Sequence, residues 1–380
     1  MSEAPEEKLP EVEAWNRLVG LLSKRDWLVV GWVLAIKGLL FVFGAKSYQI
    51  FENRRAPSIH AWLEIWNRWD ASHYLQVAQT GYNAKDVLVY PLFPWLTRFF
   101  AQVSGDYLVG ALMLSGLASI AAAVLLQRLV QLDYPAPIAL RTVWFFLIFP
   151  TSYFLHVGYT ESLFLALALG CILAARTERW WLAGILGALS SMTRANGLVL
   201  IPTLAIEAVH QYLVVKRWRW GWLWIAILPA GFGAYLLVNL HFAGSAFAFW
   251  GTRKAMFYTS PTWPWDGIRE LIGNLHRTPG QGEMVGAQEL YFVALGFVGT
   301  VVSWIKLRPL YAAWMTMTWL GITSLTFIQS APRYSLTMFP IFILFALLGR
   351  NRFWNAVITI WSLLFLALFT SLFVRGWWAF

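Results

Sequence analysis

One cysteine, Cys171, in a chain of 380 residues rules out an intrachain disulfide, and its place inside an apolar run marks it as a buried structural thiol, so cysteine usage says nothing of redox compartment. Charge is also scarce. Only 13% of the residues are Asp, Glu, Lys or Arg, and with 59% hydrophobic residues and a mean hydropathy of +0.57 this excludes a water-soluble globule. GxGxxG, P-loop, HExxH and paired CxxC patterns are missing, so nucleotide-dependent and zinc-dependent chemistry have no sequence support and no metal ligands are nominated. The alternating pattern of barrel strands is absent as well. Residues 1–26 lack the apolar core of a secretory signal and carry Glu3, Glu6, Glu7, Glu11 and Glu13; they read as a polar cytoplasmic tail with a short surface helix over 12–22.

What is present is a series of apolar segments, each of about 17–25 residues and able to cross a hydrocarbon core of about 30 Å as a helix. They fall at 27–45, 107–127, 138–156, 158–175, 180–193, 198–214, 221–242, 289–305, 309–328, 334–349 and 353–374. The expected fold class is an all-α polytopic membrane protein with about eleven transmembrane helices. Residues 88–104, interrupted by Pro91, Pro94 and Arg98, read as a re-entrant or surface hairpin. Gly184, Gly187 and Ala188 suit close helix approach better than ligand binding.

Basic residues of short loops orient such a chain. Lys24, Arg25, Arg128, Arg176, Arg179, Lys216, Arg217, Arg219, Lys306, Arg308, Arg350 and Arg352 fall on one side, expected to be cytoplasmic. The other side then carries two long loops, 46–106 and 243–288, short turns near 157, 194–197 and 329–333, and the terminal Arg375-Gly376-Trp377-Trp378. The net charge of +10 does not indicate nucleic acid, because the basic residues divide between both faces. Those outside, Arg54, Arg55, Arg68, Arg194, Arg253, Lys254 and Arg333, are not required by topology. A lipid phosphate is the natural anion for some of them, against the plainer reading of side chains snorkelling to headgroups.

Chemistry concentrates in the run Trp66-Asn67-Arg68-Trp69-Asp70-Ala71-Ser72-His73-Tyr74. Asp70 is placed to cap a helix over 71–79 that Gly81 stops. His73 and Tyr74 follow at three- and four-residue spacing on the same face, which sets a carboxylate and an imidazole against aromatic planes of the kind that stack on sugars.

The stretch Trp69-Asp70-Ala71-Ser72-His73-Tyr74, continuing to Gly81-Tyr82 and Tyr90-Pro91-Leu92-Phe93-Pro94, resembles the first external loop of the phosphatidylinositol-glycan class V (PIG-V) mannosyltransferases and their prokaryotic relatives. Pro150-Thr151-Ser152-Tyr153-Phe154 with Gly158-Tyr159-Thr160-Glu161-Ser162, then Thr193-Arg194-Ala195-Asn196-Gly197, is similar to that family's next signature region. Pro332-Arg333-Tyr334 with Phe339-Pro340, and Gly376-Trp377, follow in family order, whereas 243–288 holds no recognised motif.

The resemblance implies a GT-C glycosyltransferase fold over 27–380 as a single catalytic domain, with surface helices in the first external loop. It implies an inverting enzyme that takes its sugar, most often mannose, from a polyprenyl-phosphate donor at the non-cytoplasmic face, with an acidic residue of that loop as base. Asp70 is the matching residue. The implied partners are membrane lipids, the polyprenyl-phosphate sugar and a glycolipid or lipid-linked glycan acceptor, with no nucleic acid; the protein is expected to be a monomer. No cofactor is implied beyond the donor substrate, and metal dependence stays open. The expected location is the cell membrane, or the endoplasmic reticulum membrane in a eukaryote.

Within that scheme Asp70 takes the acceptor proton. His73 orients Asp70 or meets the donor phosphate, both favoured over metal binding because no second ligand stands near it in sequence. Arg333, behind Pro332, and Arg194, ahead of Asn196-Gly197, are cations for the leaving phosphate, or else structural ion-pair partners of Glu161. Trp69, Tyr74, Tyr159, Asn196 and Tyr334 complete the expected substrate-binding set together with Glu161, whose place at a helix start is equally explained by capping. The rival from another class is a lipid or glycolipid flippase or secondary transporter. It is disfavoured because only Lys37 lies clearly within an apolar span and no internal repeat is evident.

Overall fold

The computed structural model describes residues 23–54, 57–275 and 287–378; the N-terminal surface helix expected over 12–22, Arg55 and the middle of the loop 243–288 lie outside them. Every one of the eleven apolar segments contains helix. The first, α1 (Lys24–Glu52), opens on a capping box in which Ser23 Oγ accepts from the Asp26 amide at 3.2 Å and Asp26 returns the bond to the Ser23 amide at 2.8 Å. It is apolar all round. Val29, Val33, Leu40 and Gly44 face the protein, while Leu34, Leu39, Val42 and Phe43 face outward, as lipid contact requires. Lys37, midway along it, donates to the Leu112 carbonyl at 3.0 Å over Gly116, where any Cβ would lie 2.9 Å from Nζ.

Three helices then lie in the first long loop: α2 (Ile59–Glu64), α3 (Asp70–Thr80) and α4 (Leu92–Ser104). The hairpin expected over 88–104 is instead the single helix α4. Pro91 is its N-cap and Pro94 falls in its first turn, where a missing N–H breaks no intrahelical bond. Arg98 does not interrupt it either, since its Nε donates to the Ala78 carbonyl at 2.7 Å. The helix lies along α5 (Tyr107–Gln131), which brings Gly110 against the Ala101 backbone.

The chain continues through α6 (Ala136–Ile148), α7 (Glu161–Arg176), α8 (Trp180–Ser191), α9 (Leu200–Val215) and α10 (Pro229–Ala243). The second long loop holds α11 (Ala248–Phe257) and α12 (Pro264–Asn274). Then come α13 (Ala287–Lys306), α14 (Pro309–Thr323), the short α15 (Ala331–Ser335), α16 (Pro340–Leu348) and α17 (Arg352–Val374). Among the described residues the β structure is limited to isolated bridge positions, with Pro261 paired to Leu325.

Six of the helical stretches are long and apolar enough to cross a membrane unaided: Lys24–Glu52, Tyr107–Gln131, Ala195–Val215, Trp220–Ala243, Ala287–Lys306 and Arg352–Val374. The other five expected spans hold shorter helices. Pro150 forces Phe149 to an extended ψ of 147°, so the segment read as 138–156 stops at Ile148 and resumes as a 3-10 turn, Ser152–Leu155. Pro340 likewise starts α16 afresh after the turn around Leu336 to Phe339. Broken backbone at this depth is tolerated because residues 149–165 are buried inside protein and not exposed to lipid.

Charge separates along α7, whose 16 residues span about 24 Å. Arg176, at its C-terminal end, pairs with Asp133 at 2.9 Å, beside Arg128–Asp26 at 2.9 Å, Arg308–Glu207 at 2.7 Å and the pair Arg219–Glu178. Glu161, at its N-terminal end, belongs to a second group treated below. Four of the basic residues expected to share one face, Arg128, Arg176, Arg219 and Arg308, thus pair with four carboxylates. Cys171 is buried and donates to the Ala183 carbonyl at 3.1 Å.

Helix α8 is the tightest contact. A Cβ on Gly184 would sit 2.8 Å from the Trp224 carbonyl oxygen, and one on Gly187 would sit 2.5 Å from Leu228. A Cβ on Gly231 would run into the Ala188 carbonyl oxygen, closer still, while one on Gly233 of the same helix would meet nothing within 4 Å. Gly231→Ala must push backbone away from backbone, and we expect at least the roughly 1–3 kcal/mol typical of overpacking, read as a lower unfolding temperature in detergent, with Gly233→Ala unchanged. Equal behaviour of the two variants would contradict this contact.

Candidate active site

The start of α3 is set by an unusual residue. Trp69 has φ 54° and ψ −123°, a conformation that costs a non-glycine residue on the order of 1–3 kcal/mol unless its surroundings impose it. Here they do. Arg68 donates from Nη2 and Nε to the Val374 carbonyl at 2.9 and 3.2 Å, and its own carbonyl accepts from the Tyr159 hydroxyl at 2.8 Å. The Trp69 ring meets Trp378 edge-on, centroids 5.1 Å apart. The first helical residue, Asp70, is therefore presented by a backbone clamped to the end of α17 and to the turn before α7.

Asp70 does not cap α3. No side-chain bond closes that end, and the carboxylate turns away from the helix so that Oδ2 accepts from Arg333 Nη1 at 2.6 Å. The capping role expected for Asp70 is thus replaced by an ion pair. Its partner's side chain is 5% exposed, whereas that of Asp70 is 38% exposed. Arg333 passes over Tyr159 and Phe154, its Cζ 4.6 and 5.0 Å from their ring centroids, an arrangement that favours a desolvated cation. Its Nε donates to Glu161 Oε1, and the same oxygen accepts from Arg194 Nη1. Arg194 also donates to Thr160 Oγ1 at 2.9 Å and lies over Tyr334.

The result is a line of alternating charge, Asp70, Arg333, Glu161 and Arg194, drawn from four separate stretches of chain. It is formally neutral, and it runs from a carboxylate open to solvent into a carboxylate with no exposure at all. Both arginines are the ion-pair partners of Glu161 that the sequence left as an alternative. Glu161 and Tyr159, expected among the substrate-binding residues, are fully buried and form the wall behind the site. Trp69 is exposed, Tyr334 and Asn196 are partly exposed, and Gly197 bonds back to the Arg194 carbonyl at 3.0 Å while packing on the Ser191 backbone.

Tyr74 shares the inner side of α3 with Asp70. It meets Tyr159 and Phe93 edge-on, and burial together with the Asp70 charge pushes its hydroxyl up to about 12, so it stays neutral and can donate. His73 points elsewhere: it is exposed, and among the described residues no hydrogen bond joins it to Asp70. Among those residues no group of three His, Cys, Asp or Glu gathers as a metal site would. Sequence reading undervalued Arg68, although its position beside Trp69-Asp70 was a signal, and missed Thr151, whose hydroxyl donates to the Pro332 carbonyl at 2.9 Å.

A helical, multi-pass membrane protein with a buried charge relay beneath one partly open carboxylate is the class that the fold and site define. Residues 56–219, which carry Asp70, His73, Tyr74, Tyr159, Glu161, Arg194 and Asn196, match the family described as Mannosyltransferase (PIG-V). The chain is 33% identical over 164 residues to GPI alpha-1,6-mannosyltransferase 2 of Rattus norvegicus, covering 38% of this chain and 33% of that protein. It is 34% identical over 145 residues to the Mus musculus protein of the same name, covering 35% and 29%. The match thus spans about a third of the length of these curated relatives. Among solved structures, the apo oligosaccharyltransferase of Archaeoglobus fulgidus aligns over 90% of this chain and 54% of its own, with 12% identity and a TM-score of 0.42, too distant to assign geometry.

Removing the shared carboxylate leaves two guanidinium groups buried without their common partner. We expect Glu161→Ala to destabilise the fold by about 3–5 kcal/mol, measured by chemical unfolding in mixed micelles. A loss below about 1 kcal/mol, the level of an exposed pair, would contradict the buried relay.

Proposed function

We propose that the chain is an inverting glycosyltransferase of the GT-C type, moving mannose from a polyprenyl-phosphate donor to a hydroxyl of a glycolipid or lipid-linked glycan at the non-cytoplasmic face. The observation that carries this reading is the partly open carboxylate of the relay, Asp70, held at 2.6 Å by a buried arginine within a segment that matches mannosyltransferases. The names of the relatives support mannose as the sugar.

In this reading the acceptor hydroxyl lies against Asp70, which takes its proton as the oxygen bonds to the anomeric carbon from the side opposite the phosphate. The carbon–oxygen bond to phosphate breaks and its electron pair leaves with the phosphate. Arg333 fixes the direction of the carboxylate, and Arg333 with Arg194 keeps positive charge beside the site as negative charge grows on the leaving group. Trp69 offers an exposed ring for a sugar or lipid, and Tyr74 a neutral hydroxyl. The transporter alternative draws no support from Lys37, whose ammonium is engaged by a helix carbonyl.

The test is transfer of radiolabelled mannose from polyprenyl-phosphate mannose to lipid acceptors by purified protein. Asp70→Asn keeps the side-chain shape and removes the base, so kcat should fall by about 10²–10⁴-fold. Arg333→Ala should both weaken donor use and slow transfer. An Asp70→Asn protein that transfers at the native rate would overturn the assignment of the base.

A further inference from the structure

Arg333 is third in α15, a helix of only five residues, and so short an element does not hold its own direction. Its N-cap, Ser330, has φ 64° and ψ 28°, the left-handed region that side chains other than glycine seldom adopt. Pro332 removes one amide from the first turn. Something outside the turn has to supply the missing order, and two side chains do. Glu289, in the first turn of α13 and 1% exposed, accepts from the Ser330 amide at 2.9 Å through Oε1 and from the Ala331 amide at 2.6 Å through Oε2. Thr151 donates to the Pro332 carbonyl at 2.9 Å.

A carboxylate taken into a helix bundle is costly, and an apolar residue at the start of α13 would meet the packing demand without it. What the carboxylate adds is a two-pronged grip on consecutive amides immediately before Arg333. We propose that Glu289 is a positioning residue for transfer, gripping the Ser330–Ala331 backbone so that Arg333 is aimed at Asp70, with Thr151 as the second anchor. The inference rests on the proposed function for its catalytic consequence, and on geometry alone for the grip. The consequence is large because Arg333 reaches Asp70 and Glu161 at hydrogen-bond distance, and a displacement of about 1 Å in such a constellation can cost about 100-fold in rate.

The test uses full-length protein and the variant Glu289→Gln, which keeps the volume, offers one acceptor and turns an NH2 group against the second amide. Hydrogen exchange of the 330–336 segment, followed by mass spectrometry, should speed up by about tenfold or more in the variant while helices away from it stay protected. Mannose transfer should fall by about 10–100-fold, and in the Arg333→Ala background the same substitution should add less than about twofold, since both act through one side chain. Unchanged exchange overturns the grip, whether or not the protein transfers mannose. Faster exchange with losses that multiply in the double variant overturns the action through Arg333.

Discussion

A carboxylate buried among membrane helices persists only where donors are brought to it, and Glu161 draws two cations. One oxygen accepts from Arg194, 33 residues along the chain, and from Arg333, 172 residues along it. That requirement ties the N-terminal end of α7 to the turn before α9 and to α15, and so decides where the guanidinium of Arg333 stops. Asp70 takes its orientation from that guanidinium, at the end of the same relay. Aromatic faces complete the enclosure: Tyr159 and Phe154 lie beneath Arg333, and the Tyr159 hydroxyl holds the backbone from which Asp70 projects. The site is thus one object, in which the buried end fixes the exposed end.

The opposite end of the bundle obeys the same rule with different residues. Arg128, Arg176, Arg219 and Arg308 meet Asp26, Asp133, Glu178 and Glu207, and Tyr311 adds a hydroxyl to Asp133 at 2.8 Å. None of these four carboxylate side chains is more than 20% exposed. At the Asp70 end the relay stops at a carboxylate with more than a third of its surface open, and this asymmetry is why we propose the chemistry there.

Eleven apolar segments were legible because hydrophobic run length is a local property, and each contains helix. Their lengths were less legible. The segment 138–156 looks continuous in hydropathy, yet Pro150 ends α6 and the chain turns within protein, where burial on every side removes the penalty that lipid would impose. The region 88–104 erred in the other direction: Pro91 and Pro94 looked like breakers but sit at the start of α4, where proline is at home. Glycine was read well at α8, since Gly184 and Gly187 do admit neighbouring helices.

Sequence by itself determined the membrane class and the helical segments, and singled out Asp70 as a candidate, because composition, run length and a short aromatic-acid motif are all local. Only the tertiary structure decided what those residues do to one another. Spacing placed His73 beside Asp70, but the carboxylate gains more from a charge-assisted bond to Arg333, 263 residues away, than from an exposed imidazole on its own helix. Glu161 and Tyr159 changed from surface to supporting wall for the same reason: burial is a property of the packed bundle, and no local pattern states which side of a helix the bundle will cover.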